Sequence, residues 1–395
     1  MAEALKRRIG PGLLTAYGIG VMVGAGISVL VGAVAGAAGL WAPLAFLLAG
    51  LVAAPSALSY AELSTRLPEA AGEAAYVAQG LGLHWLSVAV GAAIVLAGTV
   101  SAAAVLRGGA GYMVSVIDMP VAPVVVVLGA ALVAVAALGV LESLALAALF
   151  TVAELLGLAM VVYAGLGAAP VPDWSAPPPV PWAGLGLAAV LAFYAFIGFE
   201  DMVNMAEEVS DPARTLPRAI LLALAITTTV YAAVCIAAVR AVPAGDLAAT
   251  ERPLALVWER GTGGNADFLS LIAVAAALNG VLAQIVMAAR VLFGLGRREP
   301  RLATFHHAHP RFGTPVKATL LVGAGVIAAA LALPIASLAG VTSVVLLTVF
   351  ALVDVSLIAL KRRAPDAPFR VAGWVPWAGV ATAVAALALS LGGLA

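Results

Sequence analysis

Long apolar runs without alternation, most of about twenty residues or more, follow one another along the chain and are parted by short polar stretches. A helix needs about 20 apolar residues to cross roughly 30 Å of hydrocarbon, whereas a membrane strand needs about 10 in alternation. The pattern therefore predicts membrane-spanning helices, near residues 12–40, 42–65, 84–117, 121–140, 143–168, 182–208, 217–241, 266–297, 316–335, 336–360 and 374–393, eleven in all. The N-terminal run lacks a small-residue cleavage site at the usual distance and is read as an uncleaved first span. Between the fifth and sixth spans lies PVPDWSAPPPVP (170–181), a stiff segment free of basic residues. It divides a single membrane domain, 1–395, into five spans (12–168), a second set (182–360) and an extra helix (374–393).

Each set opens on a glycine-interrupted helix with polar flanks, GIGVMVGAGIS (18–28) and FYAFIGFEDM (193–202). Five is odd, so the two sets are expected in opposite orientations. Inverted repeats put a substrate site near the midplane, where interrupted helices offer half-helix N-termini to anions and unwound carbonyls to cations. Glycines 20, 24, 32 and 36, in small-xxx-small spacing, equally serve close helix packing. The matched interruptions favour a binding break and a transporter.

Composition sharpens this picture: 64% of residues are hydrophobic and 10% charged, against roughly 25% charged in a soluble domain. Twenty Lys and Arg balance 20 Asp and Glu, with no basic patch interleaved with aromatics, so nucleic-acid binding has no electrostatic basis. The single cysteine, Cys235, can form neither an intrachain disulfide nor a thiolate metal cluster. With the N-terminus inside, 15 of the 20 basic residues fall at cytoplasmic positions and only Arg240, Arg252 and Arg260 outside, which predicts a cytoplasmic N-terminus and an external C-terminus. Trp174, Trp182, Trp374 and Trp377 sit at span ends, as an aromatic belt requires.

Few polar residues lie at depth. Arg107, in the outer part of the third span, is a pathway candidate or a structural ion pair; Glu154 and Glu200 are the available carboxylates. Glu200 and Asp201 follow the sixth-span break, where acidic side chains cap a helix start. Glu207 and Glu208 face arginine-rich loops and are expected to pair with Arg66 or Arg214 as an inner gate, although a solvated loop face would read the same. Thr215 and Pro217 read as the start of the seventh span. Asp354 and Glu62, near the cytoplasmic interface, are expected to be solvated or paired. The run FHHAHPRFGTP (305–315) lacks a carboxylate or cysteine and reads as a loop, so no metal is called for. No metalloprotease, rhomboid-like or phosphotransferase constellation is present, and neither an enzymatic role nor a cofactor is expected.

Four stretches resemble the amino acid-polyamine-organocation superfamily, specifically its bacterial amino acid permeases: GAGIS (24–28), SYAELSTRLPEAAGEAAYV (59–77), FYAFIGFEDMVNMAEEVSDPARTLPRAI (193–220) and NGVLAQIVMAARVLFGLGRR (279–298). The resemblance implies an all-α integral membrane protein with a five-plus-five inverted repeat of leucine-transporter type, broken first and sixth helices, and alternating access. It implies that amides of Gly24, Ala25, Gly26 and Ile27 take the substrate carboxylate. Carbonyls of Tyr194, Ala195 and Ile197 would take the amino group, with Phe199 as a gate. Such permeases can carry a lysine twelve residues after the Glu of a GIKES-like motif, in place of sodium; counting from Glu142 in GVLES, this chain has Glu154. Ionised without a partner near the midplane, a carboxylate costs roughly 2.5 to 3.5 kcal/mol or more, which makes Glu154 the candidate to carry a proton. Sodium-coupled relatives supply hydroxyls from the eighth span, yet residues 273–296 contain no Ser or Thr, only Asn279, Gln284 and Arg290 as polar members.

The expectation is a bacterial cytoplasmic-membrane transporter of an amino acid, neutral and small to medium by the lining Ala25, Tyr194, Ile197 and Phe199. Proton coupling or exchange is favoured over sodium. An amine or polyamine carrier and a non-transporting sensor stay open as alternatives, as does oligomeric state.

Overall fold

The computed structural model describes residues 5–114, 119–250, 252–333 and 335–392. It is all-helical: α1 (Pro11–Ala38), α2 (Ala42–Arg66), α3 (Gly72–Leu81), α4 (His84–Val114), α5 (Val121–Leu138), α6 (Val140–Gly167), α7 (Trp182–Phe193), α8 (Pro212–Ala241), α9 (Ala244–Ala249), α10 (Pro253–Thr262), α11 (Asp267–Arg298), α12 (Val316–Ala332), α13 (Ile335–Arg363) and α14 (Val375–Gly392). Among the described residues nine helical stretches are long and apolar enough to cross a membrane, and Val316–Ala332 and Val375–Leu389 are shorter apolar helices. Large apolar side chains such as Leu51 and Val127 stand 68% and 65% exposed. An outward apolar surface of that kind is what hydrocarbon solvates.

Ten of the expected spans coincide with helices, shifted by a few residues at their ends; the sixth, expected over 182–208, is α-helical only as α7, to Phe193. The seventh begins a turn earlier than expected: Pro212 takes the first helical position after Asp211, and the Thr215 hydroxyl donates to the Ser210 carbonyl (2.8 Å) instead of capping. Three short helices, α3, α9 and α10, occupy connections the hydropathy pattern leaves blank.

Lipid tails are as apolar as leucine, so close packing of small residues holds such helices together. Gly20 lies against Thr151 and Asn279, Gly32 against Leu247 and Gly36 against Ala248, where a Cβ would crowd each neighbour. Gly24, in the same four-residue series, has nothing within 4 Å of its Cβ position and is instead non-helical (φ 18°, ψ −156°). Three of the four glycines pack; the fourth breaks the helix.

The second break is longer. After α7 come a 3-10 turn (Tyr194–Phe196), an extended Ile197, Gly198 at φ +130°, and a nine-residue 3-10 helix (Glu200–Glu208). Half-buried arginines close two helix C-termini. Arg107 Nη1 donates to the carbonyls of Ala330 (2.8 Å) and Leu333 (3.2 Å) at the end of α12, and Arg240 Nη1 to those of Gly165 (3.0 Å) and Ala168 (2.7 Å) at the end of α6. A cation there meets the negative end of the helix dipole and its orphan carbonyls. Arg107 thus has a structural partner, and neither Glu154 nor Glu200 is paired with it.

Candidate functional site

The two breaks face each other across a cavity of about 440 Å³, within the range of small-molecule sites. Met22, Gly24 and Gly26 line it from α1, and Tyr194, Ala195 and Ile197 from the break after α7. α4 adds Gly98 and Ser101, and α11 adds Gly280, Gln284 and Met287. Tyr231 of α8 ties the breaks together: its hydroxyl proton is shared between the carbonyls of Met22 (2.6 Å) and Ala195 (2.9 Å). Both carbonyls belong to turns that cannot continue as helix, so they need an outside donor. Sequence reasoning missed Tyr231; a lone tyrosine inside an apolar run, in a set of spans with two breaks, was the available signal.

Acidic side chains follow the second break. Glu200 Oε2 accepts from the Gly198 amide (2.7 Å), ahead of the 3-10 helix, whose N-cap Phe199 has no side-chain cap, and Asp201 Oδ2 accepts from Gln284 Nε2 (2.6 Å) instead of capping. Both residues are about 2% exposed and both line the cavity. The start of the helical segment after Gly24 presents amide N–H groups without intrahelical partners, and the unwound turn at 194–197 presents carbonyls. Chemically, this arrangement can hold a zwitterion, anion toward α1 and ammonium toward the second break.

Not every expected residue reaches the cavity. Ile27 is fully buried in α1 and does not line it; the Ala25 side chain lies outside the described residues. Phe199 is not over the cavity. The positive φ at Gly198 turns the following residue back into the core, where Phe199 packs on Tyr60 (5.6 Å between ring centroids) and Phe350 (5.3 Å). Glu154 is 3% exposed on α6, one turn beyond Thr151, and lies behind α1, outside the cavity lining. Its Oε2 has no hydrogen-bond partner.

The expected inner ion pairs form with other partners. Glu208 meets Arg290 of α11 (2.8 Å), both fully buried, and Glu207 meets Arg297 (2.9 Å) and the Ala70 amide (3.0 Å). Glu69 joins Arg297 (2.7 Å) and Arg298 (2.6 Å). Arg66 is taken by Glu62 (2.7 Å), which also holds Lys361 (2.7 Å), and Arg214 lies 3.9 Å from Asp211. Asp354 is not solvated: it is fully buried and accepts from Ser56 Oγ (2.8 Å). Together with the N-terminal segment, whose Arg8 and Ile9 amides donate to the Glu208 carbonyl (2.8 and 2.9 Å), the glutamate–arginine pairs close the basic face of the bundle below the cavity.

Between closure and cavity sits Asn204, accepting from the Gly72 amide (2.9 Å) and donating to Glu73 Oε1 (3.3 Å). Glu73 belongs to α3, outside the candidate spans. Burial pushes its carboxyl up to about 8, with the charge of Glu200 adding to the rise and its own amide and Asn204 opposing it. A carboxyl raised in the folded protein binds its proton more tightly there than in the unfolded chain. Its stabilising contribution is therefore present below about 4.5 and lost as pH rises through about 8. The melting temperature in detergent is expected to fall between about pH 5 and about pH 8, and Glu73→Gln to flatten that fall. Superimposable pH profiles for the two proteins would remove Glu73 as its source.

The sequence matches the family described as amino acid permease over residues 13–393. A branched-chain amino acid permease, BcaP, of Bacillus subtilis (strain 168) is 28% identical over 391 residues, covering 93% of this chain and 83% of that protein. An uncharacterized transporter, Rv1999c, of Mycobacterium tuberculosis is 34% identical over 361 residues, covering 91% and 81%. Cationic amino acid transporter 2, vacuolar, of Arabidopsis thaliana is 30% identical over 350 residues, covering 82% of this chain and 54% of that protein. A match running almost end to end, on a fold whose helices suit a membrane, makes this chain a member of the amino acid permease family, multi-pass membrane transporters and not enzymes.

Proposed function

We propose that the protein carries an amino acid across a bacterial cytoplasmic membrane by alternating access, with the basic face and N-terminus in the cytoplasm. The observation that carries this reading is the pair of broken helices, tethered by one tyrosine hydroxyl and opening on a common cavity. Helix starts favour a carboxylate and unwound carbonyls an ammonium, so the recognised unit is the α-amino acid backbone. Packing supports an inverted repeat of α1, α2, α4, α5 and α6 with the broken α7, α8, α11, α12 and α13. α2 packs on α8 and α4 on α11; α1 packs on α8 as α7 packs on α2; α6 packs on α11 as α13 packs on α4. The 15 basic residues at positions read as cytoplasmic support the orientation.

For coupling we favour protons over sodium. Asn279, in the span where sodium-coupled relatives offer hydroxyls, is engaged with Thr151 (3.0 Å), and the buried carboxyl of Glu154 has an oxygen left without a partner. Glu154 would then act from behind α1, not by touching substrate. Glu154→Gln is expected to abolish the dependence of uptake on a pH gradient; uptake responding to the gradient as in the unaltered protein contradicts the assignment.

The function is tested by counterflow in proteoliposomes against all common amino acids and simple amines, at two pH values, with and without sodium. Counterflow of amino acids but not of their decarboxylated analogues is expected. Equal handling of the amines would mean an amine carrier, and binding without counterflow a sensor.

A further inference from the structure

We infer that Asp201 and Gln284 form the part of the cavity that receives the substrate side chain, and that they select a side chain bearing an ammonium or guanidinium. This rests on the amino acid reading above and specifies its substrate class. Gln284 Nε2 donates to Asp201 Oδ2 at 2.6 Å, which leaves Gln284 Oε1 toward α4. There Gly98 has no side chain, and a Cβ would come within 3.0 Å of that oxygen. Ser101, three residues on and on the same face of α4, also lines the cavity. The carboxylate and the amide oxygen are acceptors only, and the hydroxyl can serve as one, so the wall suits a donor-rich group.

Charge points the same way. No Lys, Arg or His is among the described residues lining the cavity, and none of the ion pairs among described residues includes Asp201 or Glu200. Arg290, the buried arginine of α11, is held by Glu208 and by the Val286 carbonyl. Glu200 spends one oxygen on the Gly198 amide. Asp201, 2% exposed, therefore meets the cavity with an amide as its partner and no counter-ion. A buried carboxylate without a compensating charge is costly, and a cationic side chain supplies that charge on binding. The remaining lining, Ala97, Met287 and Leu346 among it, is apolar and suits the methylenes of such a side chain. The residues that favour a neutral substrate, Tyr194 and Ile197 among them, belong to the two breaks and not to this wall.

The test uses the purified full chain and pairs of near-isosteric ligands: lysine against norleucine, and arginine against citrulline, by competition and thermal shift. A site built around a polar partner rejects an analogue lacking it more strongly than a missing methylene is rejected, so the charged member of each pair is expected to bind at least about tenfold more tightly. Asp201→Asn should bring that ratio close to one, and Asp201→Glu should restore part of it. If amino acids bind but the neutral member of each pair binds as well or better, this inference is overturned while the carrier reading stands. If no amino acid binds, the carrier reading fails and takes this one with it. Should the variants not fold, the ratio in the unaltered protein decides.

Discussion

Arg290→Met is expected to destabilise the protein by about 3 to 5 kcal/mol, the cost of leaving one member of a buried pair behind. Arg290 and Glu208 are both fully buried, and the guanidinium reaches the carboxylate through Nε (2.8 Å) and Nη2 (3.3 Å). Removing the arginine strands a carboxylate at the end of the 3-10 helix, where its carbonyl already anchors Arg8 and Ile9. The double change Arg290→Met with Glu208→Leu should recover most of the loss, because no charge is then left unpaired. Thermal denaturation of the unaltered protein and the two variants in detergent checks this. A double variant no more stable than Arg290→Met alone would show that packing, not the stranded charge, sets the cost.

Gly198→Ala is expected to reduce substrate affinity by at least about tenfold, since a displacement of the second break by about an ångström is enough to spoil a positioned site. Gly198 sits at φ +130°, which a side chain costs on the order of 1 to 3 kcal/mol to hold. Its Cβ would also meet Val21 Cγ1 at 2.7 Å and the Met22 amide at 3.3 Å, so the strain falls on the partner break as well. Gly24 provides the internal comparison, because a Cβ there meets nothing within 4 Å. Counterflow and ligand-induced thermal shift on Gly198→Ala and Gly24→Ala side by side separate the two effects. Unchanged affinity in Gly198→Ala would mean that the cavity does not depend on this turn.

Run length is a property of the sequence taken in one dimension, and the helices were legible for that reason. The breaks were legible too, but only as glycine spacing; the sequence could not say that Gly20, Gly32 and Gly36 pack while Gly24 unwinds, because the difference lies in what stands opposite each one. Pairing of charges is not legible in the sequence, for a physical reason. Arg66 and Arg214 lie one turn from Glu62 and Asp211, and such short-range neighbours claim them before any distant glutamate. Arg290, isolated inside an apolar span, has no such neighbour and is left for Glu208. Phe199 lies in the core and not over the cavity because a single positive φ reverses where the next side chain goes, and no periodicity records that. Tyr231 and Asp201 acquire their meaning only from carbonyls and amides that folding brings to them.

The 3-10 helix over Glu200–Glu208 is unusually long for its kind. At about 2.0 Å per residue its nine residues span about 18 Å, whereas an α-helix of the same residues would span about 13.5 Å. Some 4.5 Å of axial slack is thus wound into the rod that runs from the floor of the cavity to the buried Arg290 pair, so a change of winding alone, with no hinge, would move one of its ends against the other.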